Sequence, residues 1–150
     1  MAQPSGFNPA LRRKARHYGM QALYQWQISR NALQQIENQF RAEYDFTQVD
    51  LEFFQELLHN IPRRLADIDA LIQPHIDRPI DEVTPIELAL LRIGTYELAH
   101  RIDVPFKVAI NEAVSLAKKF GAAESHKYIN GILDNVAKQT RAVEVAAGKR

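Results

Sequence analysis

Residues 104–134, VPFKVAINEAVSLAKKFGAAESHKYINGILD, decide the fold class of this 150-residue chain. They read as two amphipathic helices joined by a short turn. Ala109, Ala113, Leu116, Ala117 and Phe120 recur at the spacing that puts them on one helix face, and Ile110 and Val114 widen the stripe. Gly121 follows the last apolar residue, where a left-handed C-cap suits glycine. Ser125 is then placed to cap a second helix with Ile129, Ile132, Leu133 and Val136 inward.

The outward faces of the two helices carry Lys107, Asn111, Ser115 and Lys118 on the first, and Lys127, Asn130, Gly131 and Asp134 on the second. A mid-helix glycine costs roughly 1 kcal/mol relative to alanine. Gly131 therefore marks either tight packing inside the fold or close approach of a partner to the backbone. Tyr128 adds a ring beside Lys127. Lysine, amide, bare backbone and aromatic suit a nucleic-acid surface; a solvated face with a packing glycine fits the composition as well.

Immediately upstream, Thr84-Pro85-Ile86-Glu87 has the form of a capping box with proline at the first helical position. The helix it opens, from Pro85 to about Arg101, is apolar on most sides (Ile86, Leu88, Leu90, Leu91, Ile93, Tyr96, Leu98), which predicts a buried central post. Arg92 on that post needs a partner once buried, and Glu112 is the candidate for a structural ion pair. Pro74 and Pro79 bracket a connector. Before it, Asp50 caps a long helix with Phe54, Leu58, Ile61, Leu65, Ile68 and Ile72 in phase; Pro62 inside it predicts a kink.

The first helix begins at Asn8-Pro9, with Leu11, Ala15, Tyr18, Ala22 and Trp26 inward. A break near Arg30 or Asn31 leads to a second helix carrying Leu33, Ile36 and Phe40, and residues 45–49 read as a loop. Arg12, Arg13 and Arg16 fall away from the expected stripe of the first helix. Arg13, Met20 and Tyr24 project within roughly 40° of one another, so the arginines and Tyr24 are expected on one exposed face. Positive charge at a helix N-terminus opposes the macrodipole, which favours an anionic partner: phosphate for the arginines, an unpaired base for Tyr24. Residues 139–150 are expected to form a frayed basic tail. No stretch alternates with the period of a strand, so the predicted class is all-α.

Composition sets the remaining bounds. Apolar residues make up 46% and charged residues 25%, as in ordinary globular domains. No apolar run approaches the length that spans a bilayer, and the N-terminus lacks the apolar segment of a signal peptide. Zero cysteines exclude disulfides and thiol catalysis and fit a cytoplasmic protein. The five histidines are scattered without metal-ligand spacing, and there is no phosphate-cradling loop or nucleophile motif. Asp67 with Asp69, and Glu82 with Glu87, lie in solvated or capping contexts, so the reading is of a protein without catalytic residues, metal or cofactor. The net charge of +1 hides a segregation. Residues 1–36 hold five bases and no acid, residues 37–103 six bases against fourteen acids, and residues 104–150 eight bases against four acids. Basic ends and an acidic middle predict two surfaces with different partners.

VPFKVAINEAVSLAKKFG followed by SHKYINGILD, together with RRKAR…QALYQWQ and IELALLRIGTYEL, resembles the NusB family of transcription antitermination factors, in order from about Leu11 to Val136. The resemblance implies two small helical bundles of six to seven helices in one domain, an N-terminal half of about 8–79 and a C-terminal half of about 80–138. It implies recognition of a boxA element, a short single-stranded RNA, in nascent transcripts such as those of ribosomal RNA operons. The small-subunit ribosomal protein NusE and RNA polymerase would be its companions. Carried over by position, the RNA side is Arg12, Arg13, Arg16, Tyr24, Lys118, Lys127 and Tyr128, with Lys14 standing where arginine is usual. The partner side is Glu82 and Glu87 in the acidic middle. A homodimer covering the arginine-rich face is a further arrangement within such a family. Two other readings stand beside it: a helical interaction module without an RNA role, and a relative of the helical domain that precedes the cofactor-binding domain of certain RNA cytosine methyltransferases. The 150 residues lack that second domain.

Overall fold

The computed structural model describes residues 8–148, which form eight α-helices and no strand. They divide into two compact units after Arg63.

The first unit holds α1 (Pro9–Ser29), α2 (Leu33–Glu43) and α3 (Leu51–Arg63). Asn8 starts α1 as its residue type predicts, with Oδ1 accepting from the amides of Ala10 and Leu11 at 2.9 and 3.3 Å. Arg30 ends α1 in the left-handed region at φ 57°, and its guanidinium lies 4.2 Å from the centre of the Trp26 ring. Asp50 caps α3 through the amide of Phe53 at 3.1 Å, as expected. Its own amide donates to the carbonyl of Leu11 at 3.0 Å, tying the two helix starts together. The expected loop at 45–49 contains a 3-10 turn, Phe46–Gln48.

The face that α1 buries is the expected one only in part. Ala15, Arg16, Gly19, Met20, Ala22 and Leu23 are inward, while Leu11, Tyr18 and Trp26 stay half-buried. The helix is rotated so that its small residues meet α3: a β-carbon on Gly19 would lie 3.0 Å from Leu57. That contact carries Met20 into the core and Arg16 with it.

Pro62 does more than kink a helix. The chain leaves helical geometry at Arg64 (φ −107°, ψ 22°), and a separate helix, α4 (Leu65–Ile72), follows. Proline removes one backbone donor and its ring crowds the preceding turn, which together end the ladder here. The division between units falls at this break, not near residue 79, because α4 packs on the helices that follow it.

The second unit is built around α5 (Pro85–His100), whose residues 88–98 are all buried. It packs against α4, α6 (Phe106–Phe120) and α7 (Ser125–Thr140), so it is the central post the apolar pattern predicts. Gly94 is required by this packing, since a β-carbon there would stand 2.6 Å from Leu133. Arg92 is 4% exposed, and its Nε and Nη2 are each 2.9 Å from an oxygen of Asp69 on α4. Asp69, which the sequence reading leaves in solvent, takes a bidentate role toward Arg92; Glu112, the partner that reading names, lies half-buried on α6.

Three local expectations change in this unit. The Thr84 hydroxyl caps no backbone amide but donates to Oε1 of Glu87 at 3.0 Å. Gly121 is extended, at φ −90° and ψ 178°, and not left-handed. Glycine is needed there for space, since a β-carbon would come within 2.8 Å of the Ala117 carbonyl and 2.7 Å of Ser125. Ser125 is the first residue of α7 and buried; its Oγ accepts from the Ala122 amide at 3.1 Å and donates to Oε2 of Glu87 at 2.7 Å.

Within the expected basic tail of residues 139–150, of which 149 and 150 lie outside the described residues, a helix forms, α8 (Ala142–Gly148). Arg141, buried before it, donates to the carbonyls of Glu97, Leu98, Arg101 and Val104 at 2.8–3.2 Å and to Glu144 at 2.7 Å. The Glu97 and Arg101 carbonyls already accept from the amides of Arg101 and Val104 at 3.0 Å, so this side chain adds a second donor to them and reaches the carbonyls of Leu98 and Val104 from far along the chain. Glu144 in turn accepts from the amide of Phe106 at 2.9 Å, at the start of α6.

Candidate nucleic-acid interface

In the first unit, Arg13 and Lys14 are exposed on the opening turns of α1. Arg12 and Arg16, one turn apart, point the other way. Their guanidinium carbons lie 4.8 and 5.2 Å from the centre of the Phe53 ring, and Arg16 is 4% exposed. Both stems bury against the aromatic while the charges gain from its electron-rich face. Arg12 also approaches Oδ2 of Asp50 at 3.6 Å. The four bases expected on one face thus sort into two outward and two inward, and Tyr24 is half-buried below them. Counting charged residues as outward conceals this arrangement, in which Phe53 receives both guanidinium groups.

In the second unit, the two outward lines of α6 and α7 are present as expected. Lys107, Asn111, Ser115 and Lys118 are exposed on α6, and Lys127, Asn130, Gly131 and Asp134 on α7. Lys127 pairs loosely with Glu124 at 3.1 Å, both side chains being mostly in solvent, which adds little to stability. Tyr128 is half-buried, and its hydroxyl is buried without a hydrogen-bond partner. Burial raises the phenol pKa above its ordinary value; Arg78 opposes that rise, and Asp77 and Glu87 add to it. The Arg78 guanidinium stands 5.3 Å from the centre of the Tyr128 ring and is held by Asp77 at 2.8 Å. Arg78 sits in the connector between prolines and has no helical period to reveal it.

Gly131 separates the two explanations open for it. A β-carbon built on it meets nothing within 4 Å. No packing contact among the described residues requires glycine there, so the helix carries its full cost for an open strip of backbone.

The two acidic residues expected to face a protein partner differ in situation. Glu82 is exposed at the end of a 3-10 turn, Ile80–Glu82. Glu87 is half-buried and already accepts from Thr84 and Ser125.

The described residues form an all-helical fold with exposed lysines, exposed Arg13 and half-buried tyrosines on its helix faces. The chain belongs to the NusB family, whose model matches residues 13–138. It is 50% identical over 141 residues to the transcription antitermination protein NusB of Teredinibacter turnerae, covering 93% of this chain and 96% of that protein. The protein of the same name from Shewanella loihica is 53% identical over 128 residues, covering 85% of this chain and 96% of its own. Among solved structures, T. maritima NusB superposes with a TM-score of 0.75 at 31% identity, covering 93% of this chain and 94% of that one. No described helix is long and apolar enough to cross a membrane.

Proposed function

We propose that this chain is a transcription antitermination factor that binds boxA-type single-stranded RNA in nascent transcripts, in company with ribosomal protein NusE and RNA polymerase. Membership of the NusB family supports the role. The observation that carries the RNA reading is Gly131, an open stretch of helix backbone flanked by Lys127, Asn130 and Tyr128. Bare backbone lets a sugar-phosphate chain approach closely, lysines neutralise phosphates, and the amide side chain can hydrogen-bond base edges.

In this reading Arg13 and Lys14 neutralise phosphate on the first unit, Tyr24 offers its ring to a base, and Lys118, Lys127 and Tyr128 act on the second. Arg12 contributes from the rim. Arg16 works from beneath, fixing α1 on Phe53 rather than touching RNA. A basic ribosomal protein would meet Glu82 and the acidic side of Glu87. A homodimer would be a resting state that covers the arginine-rich turn.

The test is fluorescence anisotropy with a boxA RNA oligonucleotide over a salt series, with and without NusE. Binding that weakens steeply with salt and tightens with NusE is the expected result. Salt-independent or absent RNA binding, with NusE still bound, would leave a helical interaction module instead.

A further inference from the structure

The α6 and α7 polar lines run side by side, and at their far end α8 closes a groove of about 280 Å³ lined by Phe106, Lys107, Asp134, Lys138, Val145 and Gly148. Lys107 is eleven residues before Lys118, so this groove lies about 16 Å along α6 from the turn that carries Lys118 and Lys127. Its volume is just under the range of about 300–1,000 Å³ usual for ligand pockets, which suits one nucleotide and not a larger molecule. Phe106 supplies a half-buried ring, and its backbone amide is anchored by Glu144. Gly148 brings α8 against that ring, where even a β-carbon would make an ordinary contact at 3.4 Å. Lys107 and Lys138 are exposed on either helix and pair with no described carboxylate, Asp134 included.

Asp134 is the informative member. A carboxylate on a track that attracts phosphate weakens binding unless it accepts a hydrogen from the ligand. An ionised carboxylate only accepts, so it selects a base that presents an exocyclic amine. Cytosine offers its N4 amine where uracil offers a carbonyl oxygen, and Asp or Glu accepting from cytosine N4 is a recurrent pairing.

We propose that this groove is a base-reading subsite at the end of the RNA track. It holds one amino-bearing base against Phe106, with Asp134 accepting from the exocyclic amine and Lys107 and Lys138 on the flanking phosphates. The inference rests on the RNA-binding reading above. It adds that this end of the chain reads base identity, where the rest of the track reads backbone and stacking.

The experiment compares 12-nucleotide oligo-C and oligo-U RNA on the full chain by anisotropy at fixed salt, for the native protein and for Asp134→Ala, Lys107→Ala and Lys138→Ala. Native protein should prefer oligo-C by about tenfold, the ratio that one charge-assisted hydrogen bond of roughly 1.4 kcal/mol supports. Asp134→Ala should erase the preference by weakening oligo-C while oligo-U binding stays level or rises. Each lysine variant should weaken both RNAs together. An Asp134→Ala protein that gains affinity for both RNAs in the same proportion would show Asp134 to be only a repulsive charge, and the subsite would be wrong with RNA binding intact. Failure of both RNAs to bind native protein at any salt would overturn the RNA reading and the subsite with it. Circular dichroism of each variant keeps unfolding from passing as lost binding.

Discussion

The hydroxyl of Ser125 donates to Oε2 of Glu87 at 2.7 Å while Thr84 donates to the other carboxylate oxygen at 3.0 Å. The start of α5 and the start of α7 therefore share one carboxylate. The two acidic residues of the partner reading are therefore not equivalent: Glu87 is a structural acceptor, and Glu82 is exposed.

Glu87→Ala should cost about 1–3 kcal/mol, because it strands the buried Ser125 hydroxyl. Glu82→Ala should fall within about 0.5 kcal/mol of native. Urea denaturation monitored by circular dichroism distinguishes them. Glu82→Lys should in turn weaken binding of NusE without moving the denaturation midpoint.

Gly131→Ala is expected to raise stability by roughly 1 kcal/mol, since the added methyl meets open space and removes the glycine cost. The same change should weaken RNA binding if the backbone is approached closely there. A variant that is more stable and binds RNA as tightly as native would mean that nothing approaches this strip.

Arg13→Ala with Lys14→Ala should lower the salt slope of RNA binding by about 1.4, at roughly 0.7 per phosphate on single strands. Arg16→Ala should leave the slope nearly unchanged and lower stability by about 1–2 kcal/mol through lost contact with Phe53. Equal slopes for the double variant and native protein would remove Arg13 and Lys14 from the phosphate contacts.

Glu37 gives the first unit an acid sensitivity. It is buried on α2, and accepts from Gln55 at 2.8 Å, His59 at 2.7 Å and Arg41 at 3.2 Å. Burial by itself would raise its pKa, but these donors together outweigh it and hold the carboxyl below its ordinary 4.5. A depressed folded-state pKa means that the stabilisation is complete above about 4.5 and is lost as pH falls through the lower folded value. Glu37→Gln should flatten the loss of stability as pH falls below about 4.5, measured by urea titration at each pH. An unchanged acid limb would assign that loss to other carboxylates.

Class and centre were legible because they rest on local rules. Asn8 and Asp50 cap where side-chain chemistry says they should, and the apolar run of α5 can only be buried. Details set by a partner distant in sequence were not. Arg12 and Arg16 look outward until Phe53 is placed beneath them, Asp69 looks solvated until α4 packs on α5, and Gly121 looks like a left-handed cap until Ser125 crowds it. At Pro62 the periodicity ran on unbroken across a real break, since phase records which face is buried and not whether the ladder continues. At the candidate interface the exposed lines of α6 and α7 were readable from spacing. The partition of the arginines, Arg78 over Tyr128 and the groove closed by α8 needed three dimensions.

Arg141 also sets a timetable for synthesis. The carbonyls of Glu97, Leu98, Arg101 and Val104 that it serves precede it by 37–44 residues. At about 5–20 residues per second, the ribosome adds Arg141 roughly 2–8 s after the end of α5 has been made. The first unit has its whole helical complement by Arg63. The second must wait for a residue beyond its last long helix before α5 is sealed, so the nascent protein holds one finished half and one open half.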